Sequence, residues 1–158
     1  MIEIDISKDQ IKRAKELYDF QNLRGSVTKG KGQIYGAMGE IIVNDYYGSD
    51  RVVFESTYDY DMLIDGYKVD VKTKHANFTP QPSWVCSLPS YNTKQKCDYY
   101  IFCTVKKSMD KAWILGAISK QSFFERSEFA KRGTPDKDGF KFRCDCYNLE
   151  VNQLNQIK

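Results

Sequence analysis

The sequence predicts a single α/β domain, because strand and helix patterns alternate along a chain of one-domain length. The chain has 158 residues, of which 41% are hydrophobic, and a chain of this size buries roughly 70% of its unfolded surface. No internal repeat, low-complexity tract or change in composition divides it. We therefore expect one domain over residues 1–158, with a core at roughly 33–119.

Composition excludes several classes of protein. No apolar run approaches the roughly 20 residues of a membrane span, and an aromatic content of 14% is too high for a disordered chain. The N-terminal stretch MIEIDISKDQ shows no basic region followed by an apolar one, so no secretory signal is expected. Five cysteines, an odd number, indicate reduced thiols. The compartment expected is cytoplasmic or otherwise intracellular, with no membrane partner.

Two helices are predicted in the first third of the chain. Ser7 is the expected N-cap of a helix over residues 8–20, whose apolar residues recur at helical spacing. A glycine-containing basic connection over 21–32 leads to a second helix over 33–47, which Gly48 ends. One face of this second helix is predicted to carry Ile34, Ala37, Met38, Ile41 and Asp45.

Strands and loops follow the second helix. Alternating or apolar runs predict strands at 51–56, 59–64, 67–74, 98–105 and 112–119. Residues 76–96 are expected to be irregular, with a short strand in SWVCSL, and KQSFFERSEFAK to be a helix. A loop is expected at 133–139, and a C-terminal strand or turn over 140–158 is expected to pack on the core.

The dipeptide Asp65-Gly66 between two alternating runs predicts a hairpin with a two-residue type I′ turn. Such a turn sets Ile64 opposite Tyr67 and, further from the turn, Asp61 opposite Asp70. One face of the hairpin would then be apolar, with Tyr60, Met62, Ile64, Tyr67, Val69 and Val71. The other face would be charged, with Asp59, Asp61, Lys68, Asp70, Lys72 and Lys74.

The predicted pairing of Asp61 with Asp70 is the feature that indicates chemistry. Opposed residues have Cβ atoms about 4.5–5.5 Å apart, and like charges there are destabilising. A hard divalent cation such as Mg²⁺ takes oxygen ligands and would relieve this repulsion. Lys72 lies about 6.6 Å along the same strand face. The alternative is a solvated face on which Asp59 pairs with Lys72 and water screens the two aspartates.

These residues resemble the motif of the PD-(D/E)XK nuclease superfamily, which has the restriction-endonuclease-like fold. The motif here is Tyr60-Asp61 followed by Asp70-Val71-Lys72, with Glu40 on the preceding helix. Tyr60 stands where the family commonly has proline, and Asp70 where Glu is commoner. The resemblance covers roughly residues 33–105 and implies an αβββαβ core, with a mixed central sheet flanked by helices.

The resemblance implies a magnesium-dependent nuclease, for which Mn²⁺ can substitute. Asp61 and Asp70 would hold the ion with the Val71 backbone carbonyl, and Glu40 would act directly, through a water or on a second ion. Lys72 would orient the attacking water and stabilise charge on the phosphate. The first expectation is a DNA endonuclease, acting as a monomer or a homodimer in a bacterial or phage-infected host cell. Alternatives are a non-catalytic nucleic-acid- or protein-binding module on the same fold, and a structural protein.

Residues that would contact nucleic acid are drawn from the uneven charge. Residues 24–31 hold three bases and no acid, whereas 45–65 hold six acids and one base, Arg51. The candidates for phosphate contacts are Arg24, Lys29, Lys31, Gln33 and Lys74. Trp84 and Tyr91 could stack on an unpaired base, although core packing or loop anchoring is the commoner role of such aromatics.

The cysteines and the single histidine leave smaller alternatives open. Cys144 and Cys146, with Cys97 or Cys103, could form a zinc site, but structural zinc sites usually pair cysteines at a longer spacing. His75 is expected to be a polar loop residue, because no serine or cysteine partner stands at a recognisable spacing.

Overall fold

The computed structural model describes residues 1–23, 33–136, 139 and 141–157, and only the backbone at 20–23 and 33. In chain order the elements are β1 (Ile2–Asp5), α1 (Lys8–Leu23), α2 (Gln33–Tyr47), β2 (Val52–Phe54), β3 (Met62–Ile64), β4 (Tyr67–Ala76), β5 (Val85–Pro89), a 3₁₀ turn (Ser90–Lys94), β6 (Tyr99–Lys106), β7 (Lys111–Ser119), α3 (Lys120–Arg126), β8 (Glu128–Ala130), β9 (Cys146–Glu150) and a second 3₁₀ turn (Val151–Gln153).

The described residues form helices together with two sheets of strands, so the predicted α/β class is confirmed. The larger sheet has the order β1-β7-β6-β4-β3-β2, in which β4 and β6 are parallel and the other neighbours are antiparallel. The smaller sheet is antiparallel with the order β5-β9-β8. In the described ranges, no helix is long and apolar enough to cross a membrane.

Both faces of the larger sheet are covered, because residues alternate between two apolar clusters along β6. Ile101 and Cys103 belong to the cluster that α1 and α2 cover. Tyr100 and Phe102 belong to the other cluster, which contains residues of α3 and the smaller sheet. Burial of apolar side chains on both faces is what makes this sheet the centre of the fold.

The helix that leads into the sheet follows the sequence closely. Helix α2 has the predicted bounds, and Gly48, at φ +89°, ends it with its amide donating to the Asn44 carbonyl at 2.9 Å. Asp45 binds the Arg13 guanidinium of α1 at 2.5 Å. Ser7 caps α1 as predicted, since its hydroxyl accepts from the Gln10 amide at 3.1 Å.

Several predicted elements differ from the structure. The strands predicted at 51–56 and 59–64 are only Val52–Phe54 and Met62–Ile64. The helix predicted through residue 131 ends at Arg126, and β8 follows it. Strand β1 was not predicted; its four residues pair with β7, more than a hundred positions away. So short a strand has little local signal, and its stability comes from this distant partner.

Candidate functional site

The hairpin between β3 and β4 begins as the sequence predicts. Asp65 and Gly66 both have positive φ, +50° and +84°, as a type I′ turn requires. The predicted register is confirmed for three pairs, Ile64 with Tyr67, Leu63 with Lys68 and Met62 with Val69. The regular ladder then ends.

The predicted register is wrong beyond Met62, so Asp61 is not paired with Asp70 as the sequence predicts. The Asp61 amide donates to the carbonyl of Val69 at 3.0 Å, although Val69 is already the partner of Met62. Two residues therefore oppose one, as in a β-bulge, and the side-chain alternation is reset. Tyr60, predicted on the apolar face with Met62, packs instead against the cluster on the opposite face.

The bulge also moves Asp59 away from its predicted partner, Lys72. Asp59 Oδ1 accepts from the backbone amide of Lys96 at 3.0 Å. The solvated-face alternative required an Asp59–Lys72 pair, so that part of it is wrong. Asp59 ties its loop to the segment before β6 instead.

Asp61 takes the place that a continued β3 would occupy beside β4. Its Oδ2 accepts from the Val71 amide at 2.7 Å. Because the N–H and C=O of one strand residue point to the same edge, the Val71 carbonyl is directed towards this edge as well. Among the described strands, β4 beyond Val69 has a partner only on its β6 side. The side chain of Asp61 and the backbone of Val71 thus share an edge that no strand covers.

Asp70 and Lys72 form an ion pair next to this edge. Asp70 is 4% exposed, and its Oδ2 lies 2.7 Å from Lys72 Nζ. That contact lacks hydrogen-bond alignment, so within the described residues Oδ2 has no hydrogen-bond partner. Its other oxygen, Oδ1, accepts from Gln95 Nε2 at 3.3 Å. The Lys72 charge compensates this buried oxygen, and an oxygen that keeps no aligned hydrogen bond is a ready ligand for a cation.

Glu40 reaches this region because α2 lies close against β4. At Gly39, an added Cβ would meet Thr73 Oγ1 at 1.9 Å, so the missing side chain permits the approach. Glu40, the next residue, is 7% exposed. The pKa of the Asp61 carboxyl is raised well above 3.8. Removal from water is the largest cause, and the charges of Glu40 and Asp70 follow it. Asp61 is half-buried as a residue, in keeping with this largest cause.

The structure therefore brings together the sequence-predicted residues Glu40, Asp61, Asp70 and Lys72, which we call the acid cluster with its lysine. In the part of the chain that is described, no three His, Cys, Asp or Glu side chains converge closely enough to hold a metal ion as they stand. The donor chemistry still fits Mg²⁺ or Mn²⁺: carboxylate oxygens, one without a hydrogen bond, whose mutual repulsion a divalent ion would relieve.

The predicted nucleic-acid contacts have mixed outcomes. Arg24, Lys29 and Lys31 lie outside the described residues, as does the side chain of Gln33, which begins α2. Lys74 is exposed as a residue, but its ammonium donates to the Val85 carbonyl at 2.7 Å, and desolvation lowers its pKa.

The structure also places the aromatic residues, the cysteines and the histidine for which the sequence left alternatives open. Trp84 is half-buried against the second cluster, as core packing predicts, whereas Tyr91 is 61% exposed. Among the described residues, neither Cys97 nor Cys103 forms a group of three possible metal ligands with Cys144 and Cys146. His75, expected in a loop, lies within β4, and its ring stacks on Tyr35 of α2 with centroids 4.6 Å apart.

Two residues of this region were missed from the sequence, Asn92 and Gln95. They lie in and directly after the 3₁₀ turn, within the segment predicted to be irregular. Both are buried, at 3% and 7% exposure. No periodicity marks such positions; the available signal was that two amides follow a run of prolines and serines.

Comparison with known proteins assigns no family to this chain. It matches no protein-family model and no curated protein. The acid cluster, its lysine and the residues that hold them are therefore the features that indicate a function.

Proposed function

We propose that the protein is a metal-dependent nuclease that hydrolyses phosphodiester bonds in nucleic acid, with DNA as its first expected substrate. The observation that carries this proposal is the acid cluster beside Lys72. Removal from water, then the charges of Glu40 and Asp70, raise the pKa of Asp61, and Asp70 Oδ2 is buried with the Lys72 ammonium beside it but without an aligned hydrogen bond. A protein gains no stability from such an arrangement alone, and perturbed carboxylates of this kind are typical of functional sites.

The order of elements supports a restriction-endonuclease-like core. Helix α2 carries Glu40, the antiparallel strands β2, β3 and β4 follow it, and β6 returns parallel to β4. This resembles the αβββαβ order of the PD-(D/E)XK superfamily. The connection from β4 to β6 departs from that order, because β5 and a 3₁₀ turn stand where the family has a helix.

The roles follow from where the side chains lie. Asp61, Asp70 and the Val71 carbonyl would hold the ion, with Glu40 acting on it directly or through a water. A bound Mg²⁺ would lower the pKa of a coordinated water and neutralise charge on the phosphate. Lys72, now at Asp70, has the reach to orient the attacking water and to stabilise negative charge that develops on the phosphate oxygens.

Nicking of supercoiled plasmid in Mg²⁺ or Mn²⁺ tests the proposal. We expect Asp70→Asn and Lys72→Ala to lower the rate by about 100-fold or more, as loss of a transition-state contact does. Asp59→Asn is the matched control, since it removes a charge outside the acid cluster while its Oδ1 can still accept from the Lys96 amide, and it should keep nearly the parental rate. A parental protein that leaves DNA and RNA intact in both metals would refute the proposal.

A non-catalytic nucleic-acid-binding module is the second candidate. It is favoured by the failure of three acidic groups to converge within the described ranges and by the ion pair that neutralises Asp70. Such a module would bind DNA with an affinity that falls steeply with salt, without metal-dependent cleavage. The same plasmid experiment separates the two candidates. A homodimer stays a prediction from the resemblance.

A further inference from the structure

We infer that Gln95 is a positioning residue that holds the two metal-binding aspartates in register, and this inference rests on the proposed function. Gln95 contacts both segments that carry them. Its Nε2 donates to Asp70 Oδ1 on β4 and to the carbonyl of Tyr58, in the loop that leads to Asp61, each at 3.3 Å.

The orientation of the Gln95 amide follows from its neighbours. The carboxylate of Asp70 and the carbonyl of Tyr58 can only accept, so the NH₂ group must face them. On the other side, Gln95 Oε1 accepts from Asn92 Nδ2 at 2.7 Å and from the Tyr100 hydroxyl at 3.5 Å. Asn92 and Tyr100 are buried, so the groups that donate to Gln95 Oε1 and fix the orientation of its amide are shielded from water.

The backbone of the same segment adds two further ties. The carbonyl of Gln95 accepts from the Lys120 ammonium, and the neighbouring Lys96 amide donates to Asp59 Oδ1 at 3.0 Å. The segment 92–96 is thereby attached to the loop before Asp61, to β4 and to the start of α3. This loop needs such ties, because regular pairing of β3 ends at Met62.

The hydrogen bond to Oδ1 distinguishes the two oxygens of Asp70. Oδ1 is occupied by a neutral donor, which stabilises the buried carboxylate without adding a charge. Oδ2 is left facing Lys72, as the oxygen available to an ion. Partners of this kind orient metal ligands, and their removal typically lowers metal affinity by about 10–100-fold.

The test is Mn²⁺ binding by titration calorimetry with Gln95→Met, which keeps the length of the side chain and removes the amide. We expect Mn²⁺ affinity to fall by about 10-fold or more. The Mn²⁺ concentration for half-maximal plasmid cleavage should rise by the same factor, with the rate at saturating Mn²⁺ nearly parental. Partial misfolding would instead lower the maximal rate without moving the half-maximal concentration.

The matched control is Gln121→Met, because Gln121 is an exposed glutamine whose amide donates to Glu125 at 2.7 Å, on α3. Equal Mn²⁺ affinity in the Gln95 and Gln121 variants, with binding intact in the parent, overturns the role of Gln95 alone. A parent that binds no Mn²⁺ overturns both the role and the proposed function. If Gln95→Met does not fold, Asn92→Ala, which keeps Gln95 but removes the donor behind it, should weaken Mn²⁺ binding in the same direction; unchanged binding overturns the role.

Discussion

Gly39 is the position at which a single methyl group should change the packing of α2 on β4. A Cβ there would lie 1.9 Å from Thr73 Oγ1, 3.1 Å from its Cβ and 3.2 Å from its Cγ2. Rotation of the Thr73 side chain moves its Oγ1 and Cγ2 but leaves the 3.1 Å contact with its Cβ, whose position is fixed by the strand backbone. Gly39→Ala therefore forces α2 and β4 apart by a few tenths of an ångström.

The expected cost combines two opposing effects. Overpacking in a core costs about 1–3 kcal/mol, whereas replacing glycine by alanine inside a helix contributes about 1 kcal/mol of stability. We expect Gly39→Ala to lower the free energy of unfolding by up to about 2 kcal/mol. Adding Thr73→Ala should recover about 1 kcal/mol of that loss, since the γ atoms are then absent.

Urea denaturation measures these effects, with Gly36→Ala as the control in the same helix. An added Cβ at Gly36 meets nothing within 4 Å, so this variant should be as stable as the parent or more so. If Gly39→Ala and Gly36→Ala have the same free energy of unfolding, the close approach of α2 to β4 is refuted. The placement of Glu40 that depends on this approach would be refuted with it.

Two further predictions concern stability and pH in metal-free protein. The pKa of Asp61 is raised in the folded state above 3.8, so the folded protein binds the extra proton and its stability falls as pH rises from about 4 through that raised pKa. Asp61→Asn should remove this slope and stabilise the protein at neutral pH; parallel stability–pH curves in EDTA would contradict it. The pKa of Asp45 is lowered below 3.8, mainly by its hydrogen bond with Arg13. This ion pair therefore stabilises the folded protein above about pH 4, and the stabilisation is lost as pH falls through the lowered pKa. Asp45→Asn should cost about 0.5–1 kcal/mol at neutral pH and nothing in strong acid, and a pH-independent difference in urea denaturation would argue against the ion pair.

Local signals predicted the parts of the candidate site that depend on neighbours in sequence. The bounds of α2 follow from its apolar spacing and from Gly48, and the type I′ turn follows from Asp65-Gly66. Once that turn is set, the pairs nearest to it are determined by geometry. The predicted pairing of Asp61 with Asp70 extends this register past Met62, where the structure does not keep it, and Glu40 is a candidate only through the resemblance.

Local signals do not predict side-chain orientation where the backbone leaves its regular path. Alternation assigned Tyr60 to the apolar face, but the bulge at Asp61 reset it, and no residue type at that point announces a bulge. Gln95 was missed for a related reason. Its role comes from contacts with Asp70 and Tyr58, which are distant in sequence and meet only when the sheet is formed.

The sequence by itself determined the α/β class, the two leading helices and the tight turn, since each depends on local spacing and conformation. The acids Glu40, Asp61 and Asp70 are candidates taken from the predicted hairpin and from the resemblance. Only the tertiary structure decided how those acids meet. The approach of α2 at Gly39, the end of β3 at Met62 and the amide of Gln95 all depend on packing between distant segments. Burial gives these acids their unusual protonation, because removal from water is the main reason that the pKa of the Asp61 carboxyl is raised.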